Sequence, residues 1–371
     1  MSMYFDFSGE QQALRETVQR FLADRAPVRY VREMYDDPAG TTSAVWAGLA
    51  EMGLMGILIP EEFGGLGQGL VDMGVVLEEM GRAVHPGPFF SSAVVAPSVV
   101  LAVGDEADHA ELLPAIASGA TVATVGLLEP GQRYRWQAPV TRATPVADGW
   151  QLSGTKTHVP DAARADLLFL TAATEDGVGL FALDAMNVEV APEDVLDGTR
   201  KQATVTLREA PARRVGSGDA TDAIGRAIDQ VLVGSVVDAV GAGQAALDLA
   251  IGYAKVRTQF DRPIGAFQHV QRLCVDAFEM VEASRTVGYY GLWACEGTDA
   301  VEAHRAAAMA KAFASDALPA ACAWAVQAHG GIGVTWEHDL HLFYKRCLSM
   351  QLANGAAAEY YEELASILMD A

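Results

Sequence analysis

The segment Arg257–Gln268, which reads RTQFDRPIGAFQ, decides how the C-terminal part of this 371-residue chain is organised. Apolar residues recur at helical spacing on both sides of it, over Ala223–Lys255 and over Phe267–Cys295. The segment is therefore predicted to join two long helices. The Arg257 guanidinium at the end of one helix and the free backbone amides at the start of the next would form a cradle for an anion. A plain turn that carries a surface charge is the alternative.

The helical spacing extends outward from this pair of helices. Further helical patterns follow at Val301–His329, at Asp339–Ala353 and near Ala356–Met369, so the sequence predicts a helical bundle. Helices are also predicted from the start of the chain to about residue 118, where Ser8 and Gln11 have the spacing of a capping box.

Between about residues 119 and 213 the apolar period changes from the helical one to two residues. Short runs rich in Val, Leu and Thr alternate there with Gly, Pro and Asp, which predicts a small antiparallel sandwich or barrel. These strands do not alternate with helices, which argues against a Rossmann unit. The domains expected are 1–118, helical; 119–213, β; and 219–371, a helical bundle.

Charge and apolar content exclude several classes of partner. The 48 Asp and Glu residues outnumber the 26 Lys and Arg residues, and the net charge of -22 would repel the phosphate backbone of a nucleic acid. Residues 1–7 have no basic segment and no long apolar core, and no stretch reaches 18 uninterrupted apolar residues. We therefore expect a soluble, cytoplasmic protein without a signal peptide and without a membrane partner.

No metal site and no disulfide are predicted. His338 and His341 could share a helical face, but no acidic or Cys residue is spaced to complete a metal site, so a surface or interface pair is the preferred interpretation. The four cysteines contain no CxxC pair and are read as buried thiols in a reducing compartment: Cys274, Cys295, Cys322 and Cys347.

Three glycine-containing motifs are candidate ligand sites. Gly65–Gly69 lacks the spacing of a dinucleotide loop, and Gly154–Lys156 is not a P-loop because the Lys does not directly follow the Gly. Gln327–Gly333 is more informative, because its paired glycines after a long helix would let a ligand or another helix approach the backbone closely. A simple helix C-cap is the alternative.

Together, the motifs of this chain resemble those of the acyl-CoA dehydrogenase family along nearly its whole length. The fold that this resemblance implies is mainly α with a central β-barrel domain, between an N-terminal helical domain and a C-terminal helical bundle. The matching motifs occur in the family's order and spacing: Pro60–Gly67, Glu129–Gly131, Gly154–Lys156, Tyr253–Gln268, Gln327–Gly333 and Trp336–Asp339.

The resemblance implies FAD as cofactor and desaturation of an acyl-CoA thioester between Cα and Cβ. In the family a carboxylate removes the α-proton, the β-hydrogen leaves as hydride to the flavin, and electrons pass to an electron-transferring flavoprotein. The ADP half of the flavin is typically held across a dimer interface by side chains of the neighbouring chain. The residues of this chain that match those cofactor-binding positions are Arg257, Phe260, Gln268, Gln327, Gly330 and Gly331.

The resemblance fails at the catalytic base. The usual Glu precedes a Gly and corresponds here to Asn354, whose neutral amide cannot accept the proton. Asn-Gly is also a common break between helices. Some relatives carry the base on the first long helix of the bundle, where this chain has Val231. Asp229 and Asp238 are near that position, but they are displaced along the helix and should point elsewhere.

The half of the site that would surround the flavin ring also departs from the family. Glu129–Gly131 is present, but the bulky residues Gln132–Trp136 follow it in place of small and hydroxyl-bearing ones. The family's flavin-stacking Trp corresponds to His158, and a Thr that assists it corresponds to Pro160, which has no amide donor.

The residues that serve a neighbouring chain are thus retained, whereas those needed for this chain's own chemistry are missing. The leading hypothesis is a non-catalytic subunit of an α2β2 acyl-CoA dehydrogenase, resembling those that actinobacteria use on steroid side-chain CoA esters, with a homologue that carries the catalytic Glu. Two alternatives remain. One is a self-sufficient enzyme in which Asp229 or Asp238 acts as the base. The other is a flavin-free scaffold of the same fold.

Overall fold

The structure is a computed structural model and describes residues 6–132 and 134–369. Its N-terminal part is helical, and the capping box predicted there is confirmed: the Gln11 amide donates to Ser8 Oγ at 3.1 Å, and the Ser8 amide donates to Gln11 Oε1 at 3.0 Å. A π-helical turn, Ser91–Val95, precedes the helix Ala96–Val103. The α-helices are α1 (Gly9–Arg25), α2 (Val28–Asp36), α3 (Ser43–Glu51), α4 (Leu70–Arg82), α5 (Ala96–Val103) and α6 (Glu106–Ala117).

The middle of the chain forms the predicted barrel. The strands are β1 (Ala123–Gly126), β2 (Arg142–Val146), β3 (Gly149–Pro160), β4 (Leu167–Thr174), β5 (Gly177–Asp184), β6 (Glu189–Pro192) and β7 (Gln202–Val215). The hydrogen-bonded path β4-β2-β3-β7-β5 returns to β4 and closes five strands, while β1 pairs with β4 and β6 with β7 outside this ring.

Two expectations about this sheet were wrong. The sheet is not wholly antiparallel, because β1 and β2 both run parallel to β4. Strand β2 was also missed. It is largely exposed and contains Pro145, so it lacks the alternation of apolar and polar residues on which strand prediction depends.

The C-terminal part returns to long helices. A short hairpin of β8 (Thr258–Gln259) and β9 (Arg262–Pro263) separates the first two of them, where the sequence predicted a junction. The helices are α7 (Thr221–Val256), α8 (Gln268–Glu296), α9 (Ala300–His329), α10 (Leu340–Leu352) and α11 (Ala357–Met369).

Contacts within the chain define two compact units. The helical unit comprises Met1–Arg32, Leu70–His85 and Leu232–Ala371, and the barrel unit comprises Glu33–Gly69 and Pro86–Val231. The three domain ranges predicted from the sequence do not coincide with this division and stay a prediction.

Close backbone packing of α4 against α7 organises the helical unit. A Cβ atom on Gly81 would lie 1.7 Å from the Asp238 carbonyl oxygen, and one on Gly241 would lie 1.9 Å from that of Glu78. Only glycine permits this approach at either position. The same helix α7 contains an 18-residue window apolar enough to cross a membrane, but 83% of that window is buried, as in the core helix of a soluble protein.

Candidate functional site

The first predicted site segment, here called the hairpin segment (Arg257–Phe267), turns tightly at the end of α7. The Arg257 amide donates to the Tyr253 carbonyl at 2.9 Å, and the Ile264 amide donates to the Arg257 carbonyl at 2.8 Å. Phe260 and Asp261 form the two-residue loop with φ of 51° and 61°, the left-handed region that such tight hairpins require. A left-handed residue other than Gly, Asn or Asp costs about 1–2 kcal/mol, so Phe260 is strained in this loop, whereas Asp261 tolerates its conformation.

The hairpin segment presents its functional groups outward from the helical unit. The Phe260 side chain is 86% exposed. The exposed Arg257 guanidinium forms no ion pair or side-chain hydrogen bond with any residue that the structure describes. Gln268 is exposed as the first residue of α8, and the side chain of Phe267, at the N-cap of that helix, accepts no capping hydrogen bond. A cation and uncapped amides therefore border the same turn.

The second predicted segment, here called the glycine loop (Gln327–Gly333), ends α9. Gly330 is the C-cap, as the alternative interpretation expected, and its φ of 64° with ψ of -141° is a conformation that only Gly adopts easily. A Cβ on Gly330 or Gly331 would meet no atom within 4 Å, so the space beside this backbone is open within the structure. Gln327 is exposed one turn earlier.

The helical unit brings the two segments together. The Tyr253 ring, one helical turn before Arg257, stacks on the His329 ring of the glycine loop with centroids 4.7 Å apart and an interplanar angle of 21°. The predicted cofactor-binding residues thus belong to two neighbouring pieces of chain. Sequence reasoning identified both segments but missed the aromatic pair between them.

Asn354, at the usual base position, lies in a break between α10 and α11. It has a φ of 55°, a conformation that Asn tolerates, and Gly355 follows with a φ of 115°. The Tyr360 hydroxyl donates to the Asn354 carbonyl oxygen. The acid that follows in sequence, Glu359, accepts from the Ala356 amide at 2.9 Å at the start of α11. No carboxylate stands at the turn position itself.

The alternative base positions on α7 are buried. Val231 is 6% exposed and apolar. Asp238 is 2% exposed, and its two oxygens accept from Arg346 Nη1 at 3.1 and 3.0 Å, while Arg346 Nη2 donates to the His85 carbonyl at 3.0 Å. This carboxylate is therefore committed to a buried ion pair. Asp229, in the barrel unit, is 6% exposed and also has interaction partners.

In the barrel unit, the motifs Glu129–Gly131 and Gly154–Lys156 form one buried ion pair. Lys156 Nζ donates to Glu129 Oε1 at 2.7 Å and to Thr171 Oγ1 at 3.0 Å. Burial lowers the pKa of Lys156 to about 8. Burial opposes ionisation of Glu129, but hydrogen bonds from Lys156 and Thr141 outweigh it and hold the pKa of Glu129 below its ordinary value. Both partners are charged at neutral pH, and the pair fixes the loop after β1.

Trp136 and His158, which stand where the family surrounds the flavin ring, have structural contacts within the barrel unit. Trp136 is 8% exposed and belongs to the apolar core of the barrel unit with Phe169, Val178 and Val215. Arg133 lies outside the described residues. His158 has a φ of 53°, and its exposed ring lies with Nδ1 2.6 Å from Glu193 Oε2. Burial opposes ionisation of Glu193, but hydrogen bonds from Thr204 and His158 outweigh this effect and keep the pKa of Glu193 below its ordinary value.

The histidine pair does not converge on a metal. His338 Nδ1 accepts from the Leu340 amide at 3.1 Å, whereas His341 stacks on Trp336 with centroids 4.3 Å apart. Within residues 6–132 and 134–369, no group of three or more His, Cys, Asp or Glu side chains could hold a metal ion. The four cysteines are free thiols. Cys322 and Cys347 are buried as expected, with Sγ atoms 3.6 Å apart, but the expectation was wrong for Cys274 and Cys295, which are only partly buried.

Two family profiles match the chain. They are the acyl-CoA dehydrogenase N-terminal domain, over residues 8–120, and the acyl-CoA dehydrogenase C-terminal domain, over residues 224–365. Acyl-CoA dehydrogenase IpdE2 of Mycolicibacterium smegmatis is 32% identical over 340 residues, which cover 91% of this chain and 92% of that protein.

Solved structures show the same architecture. A variant of the Tcur3481-Tcur3483 steroid ACAD (acyl-CoA dehydrogenase) superimposes with a TM-score of 0.88 and 30% identity, over 97% of this chain and 98% of that one. The ChsE4-ChsE5 complex from Mycobacterium tuberculosis superimposes with a TM-score of 0.90 over 100% of both chains, and at 24% identity it supports the fold alone.

Proposed function

Because the chain belongs to the acyl-CoA dehydrogenase family, we propose that it is the non-catalytic subunit of a heteromeric, α2β2 acyl-CoA dehydrogenase. A sister subunit would carry the catalytic Glu, and this chain would complete that subunit's cofactor site. One observation carries the proposal: the two positions at which the family places its base hold Asn354 and Val231 here.

The reaction makes the missing carboxylate decisive. Desaturation removes a proton from Cα and a hydride from Cβ, and the α-proton of a thioester is a very weak acid. A general base within hydrogen-bonding distance is therefore required, together with donors that stabilise the developing enolate oxygen. The Asn354 amide cannot take up that proton. Asp238 has its oxygens occupied by Arg346, which argues against the self-sufficient alternative.

The exposed groups of the helical unit fit one half of the family's cofactor. Members of this family are FAD-dependent, and FAD when bound supplies the hydride acceptor. An unpaired guanidinium at Arg257 and the amides of Gln268 and Gln327 are suited to a diphosphate and its adenosine. Open backbone at Gly330 and Gly331 would allow close approach, and the exposed Phe260 ring offers an apolar contact. These groups face outward, as contributions to a neighbouring chain would.

The barrel unit also supports the proposal, because its residues at two family flavin-binding positions are unsuited to a flavin ring. Trp136 is part of the core where the family has small residues, and His158, at the position of the flavin-stacking Trp, is held on the surface by Glu193. A flavin ring bound by this chain for its own use would need both positions to differ. We infer that the flavin is held mainly by the sister subunit.

The substrate proposed is an acyl-CoA thioester with a bulky acyl group, specifically a steroid side-chain CoA ester. Its support is the resemblance to the Tcur3481-Tcur3483 steroid ACAD, at 30% identity over 97% of this chain. An electron-transferring flavoprotein is the proposed acceptor of the electrons, as in other members of the family.

Co-expression tests the proposal. The chain should be purified alone and together with a homologue that retains the catalytic Glu, and the visible flavin absorbance of each sample should be recorded before and after a saturated acyl-CoA is added. We expect flavin only in the complex, with bleaching that disappears when the sister's Glu is replaced by Gln.

Two other outcomes would contradict the proposal. Flavin that is bound by this chain alone and bleached by substrate would establish the self-sufficient enzyme. A flavin-free chain that forms a complex in which the sister's flavin content is unchanged by its presence would favour the scaffold.

A further inference from the structure

His329 occupies an unusual place for a polar side chain. Its ring is 4% exposed and lies between two other rings, the Tyr253 ring at 4.7 Å with near-parallel planes and the His338 ring at 4.6 Å edge to face. Nδ1 hydrogen-bonds the Ala325 carbonyl at 2.8 Å, one turn earlier in α9. Nε2 is buried and has no hydrogen-bond partner among the described residues.

The hydrogen bonds of this ring do not explain its burial. A buried nitrogen without a partner costs about 1–3 kcal/mol, which is more than the roughly 0.5–1.5 kcal/mol that one hydrogen bond such as that of Nδ1 contributes. Burial lowers the pKa of His329, and the neighbouring His338 lowers it further, so the ring is neutral at neutral pH. A neutral ring in this position acts as a flat aromatic surface between two others. Its contribution is therefore in packing.

Each neighbour of His329 leads to a different part of the proposed cofactor surface. The Tyr253 carbonyl accepts the Arg257 amide at 2.9 Å and so fixes the start of the hairpin segment. Gly330 follows His329 directly, and a Cβ on Gly333 would lie 2.9 Å from the His329 Cβ, so the glycine loop folds back against the same residue. His338 Nδ1 accepts a hydrogen bond from the amide of Leu340, the first residue of α10.

From this arrangement we infer that His329 is a positioning residue, which sets the spacing between the hairpin segment and the glycine loop by the stacking of its ring on Tyr253. This inference rests on the proposed function, because that function makes the relative placement of Arg257 and Gly330 matter. The residue itself would not touch the cofactor. Its role is to hold two separately folded pieces of chain at one distance, so that both can engage the same bound molecule.

The test measures hydrogen exchange in the free chain, which requires no cofactor. His329→Ala should raise amide exchange in the hairpin segment and in the glycine loop together, by roughly threefold to tenfold, which corresponds to the free energy of one aromatic pair. His329→Phe keeps the flat ring without its nitrogens and should restore wild-type exchange. Trp293→Ala is the matched control, because it removes another stacked pair of the helical unit, with Tyr290, and should leave both segments unchanged.

The same variants are then compared in the complex with the Glu-bearing homologue. His329→Ala should weaken flavin retention by roughly tenfold, and His329→Phe should retain flavin like the wild type. If His329→Ala does not fold, Tyr253→Leu removes the same stack from its other side and is expected to raise exchange equally.

Unchanged exchange in His329→Ala, or in Tyr253→Leu where that variant replaces it, would overturn the inference. So would a rise confined to one of the two segments, or a failure of His329→Phe to restore exchange. A wild-type complex without flavin would instead refute the proposed function, while the exchange measurement would still decide whether His329 positions the two segments.

Discussion

Two turns of the helical unit use left-handed residues in opposite ways. In the hairpin segment, Phe260 occupies that region at a cost and still leaves its large ring exposed. At Asn354 the same region is occupied by a residue that tolerates it, and the turn only separates two helices. Of these two turns, backbone strain is thus present at Phe260 and absent at Asn354, where the family would place its base. Strain of this kind persists at functional sites.

Charged groups show the same difference. Arg257 is exposed and unpaired within the described residues, whereas Asp238 and Arg346 satisfy each other at 2% and 1% exposure. The Arg257 guanidinium can therefore bind an anion from outside the chain, whereas the Asp238–Arg346 pair neutralises its charges within the chain. The difference teaches that Asp238, one of the two carboxylates near the alternative base position, is engaged in the fold rather than in chemistry.

The sharpest test of this difference is Asp238→Asn. The amide would leave the Arg346 guanidinium buried without its counter-ion, and we expect the free energy of unfolding in urea to fall by about 3–5 kcal/mol. Asp248→Asn is the matched control, since its ion pair with Arg82 has side chains 45% and 42% exposed and should contribute less than about 1 kcal/mol. A stable Asp238→Asn variant whose complex has lost turnover would mean that Asp238 acts as a base.

Arg257→Ala addresses the outward-facing region. It should remove one charge-assisted contact with the cofactor phosphate and weaken FAD binding by the complex by about 1.5–3 kcal/mol, without changing the unfolding of the free chain. Flavin retained after dilution and gel filtration measures the effect, with Arg208→Ala, a substitution of an exposed Arg on the barrel, as control. Full flavin retention by Arg257→Ala would remove the basis for the cradle.

A pH experiment examines the buried side chains next to the Asn354 turn. Lys311 donates to the Met350 and Gln351 carbonyls at the end of α10, just before Asn354, and burial lowers the pKa of this Lys to about 7. The unfolded chain keeps that proton to about pH 10, so above neutrality it binds more protons than the folded one. Stability should therefore rise with pH, by up to about 1.4 kcal/mol per pH unit.

Lys311→Met provides the comparison. Urea unfolding of both proteins between neutral pH and about pH 9 should show the rise in the wild type and a flatter profile in the variant. Parallel profiles would mean that Lys311 does not titrate in this range in the folded protein.

The smallest effect is expected for Asn354→Ala. If the sister subunit supplies the base, turnover of the complex should stay within about twofold of the wild type, because no proton passes through this side chain. The measurement is steady-state oxidation of acyl-CoA with equal amounts of assembled complex. A large loss with normal assembly would instead place this turn in the catalytic machinery.

The sequence predicted the fold well because its periodicities are long and regular. The two helices on either side of Arg257–Gln268 and the barrel between the helical regions were both anticipated. The parallel placement of β1 and β2 beside β4 was not, because pairing between distant strands depends on tertiary packing rather than on local spacing. Strand β2 gave no alternation to detect.

The site was predicted as residues but not as contacts. The sequence identified Glu129–Gly131 and Gly154–Lys156 as separate motifs, and only the structure joins them in one buried ion pair. It likewise singled out Asp238 without its Arg346 partner, 108 positions away, and it contained His329 without showing that the ring meets Tyr253. Such pairs leave no local pattern, although an isolated Lys in a barrel strand and an isolated Arg in an apolar helix are residues that require a partner.

The burial of Trp136 has a consequence for how such an assembly can change over time. An enzyme must keep an empty chamber for its reactants, and that emptiness weakens its core. Under the proposed function this chain does not need that space, and its Trp136 indole adds to the buried apolar core of the barrel unit instead. The sister subunit could then retain a wide, loosely packed active-site cleft, because the stability of the complex would not depend on the sister subunit alone.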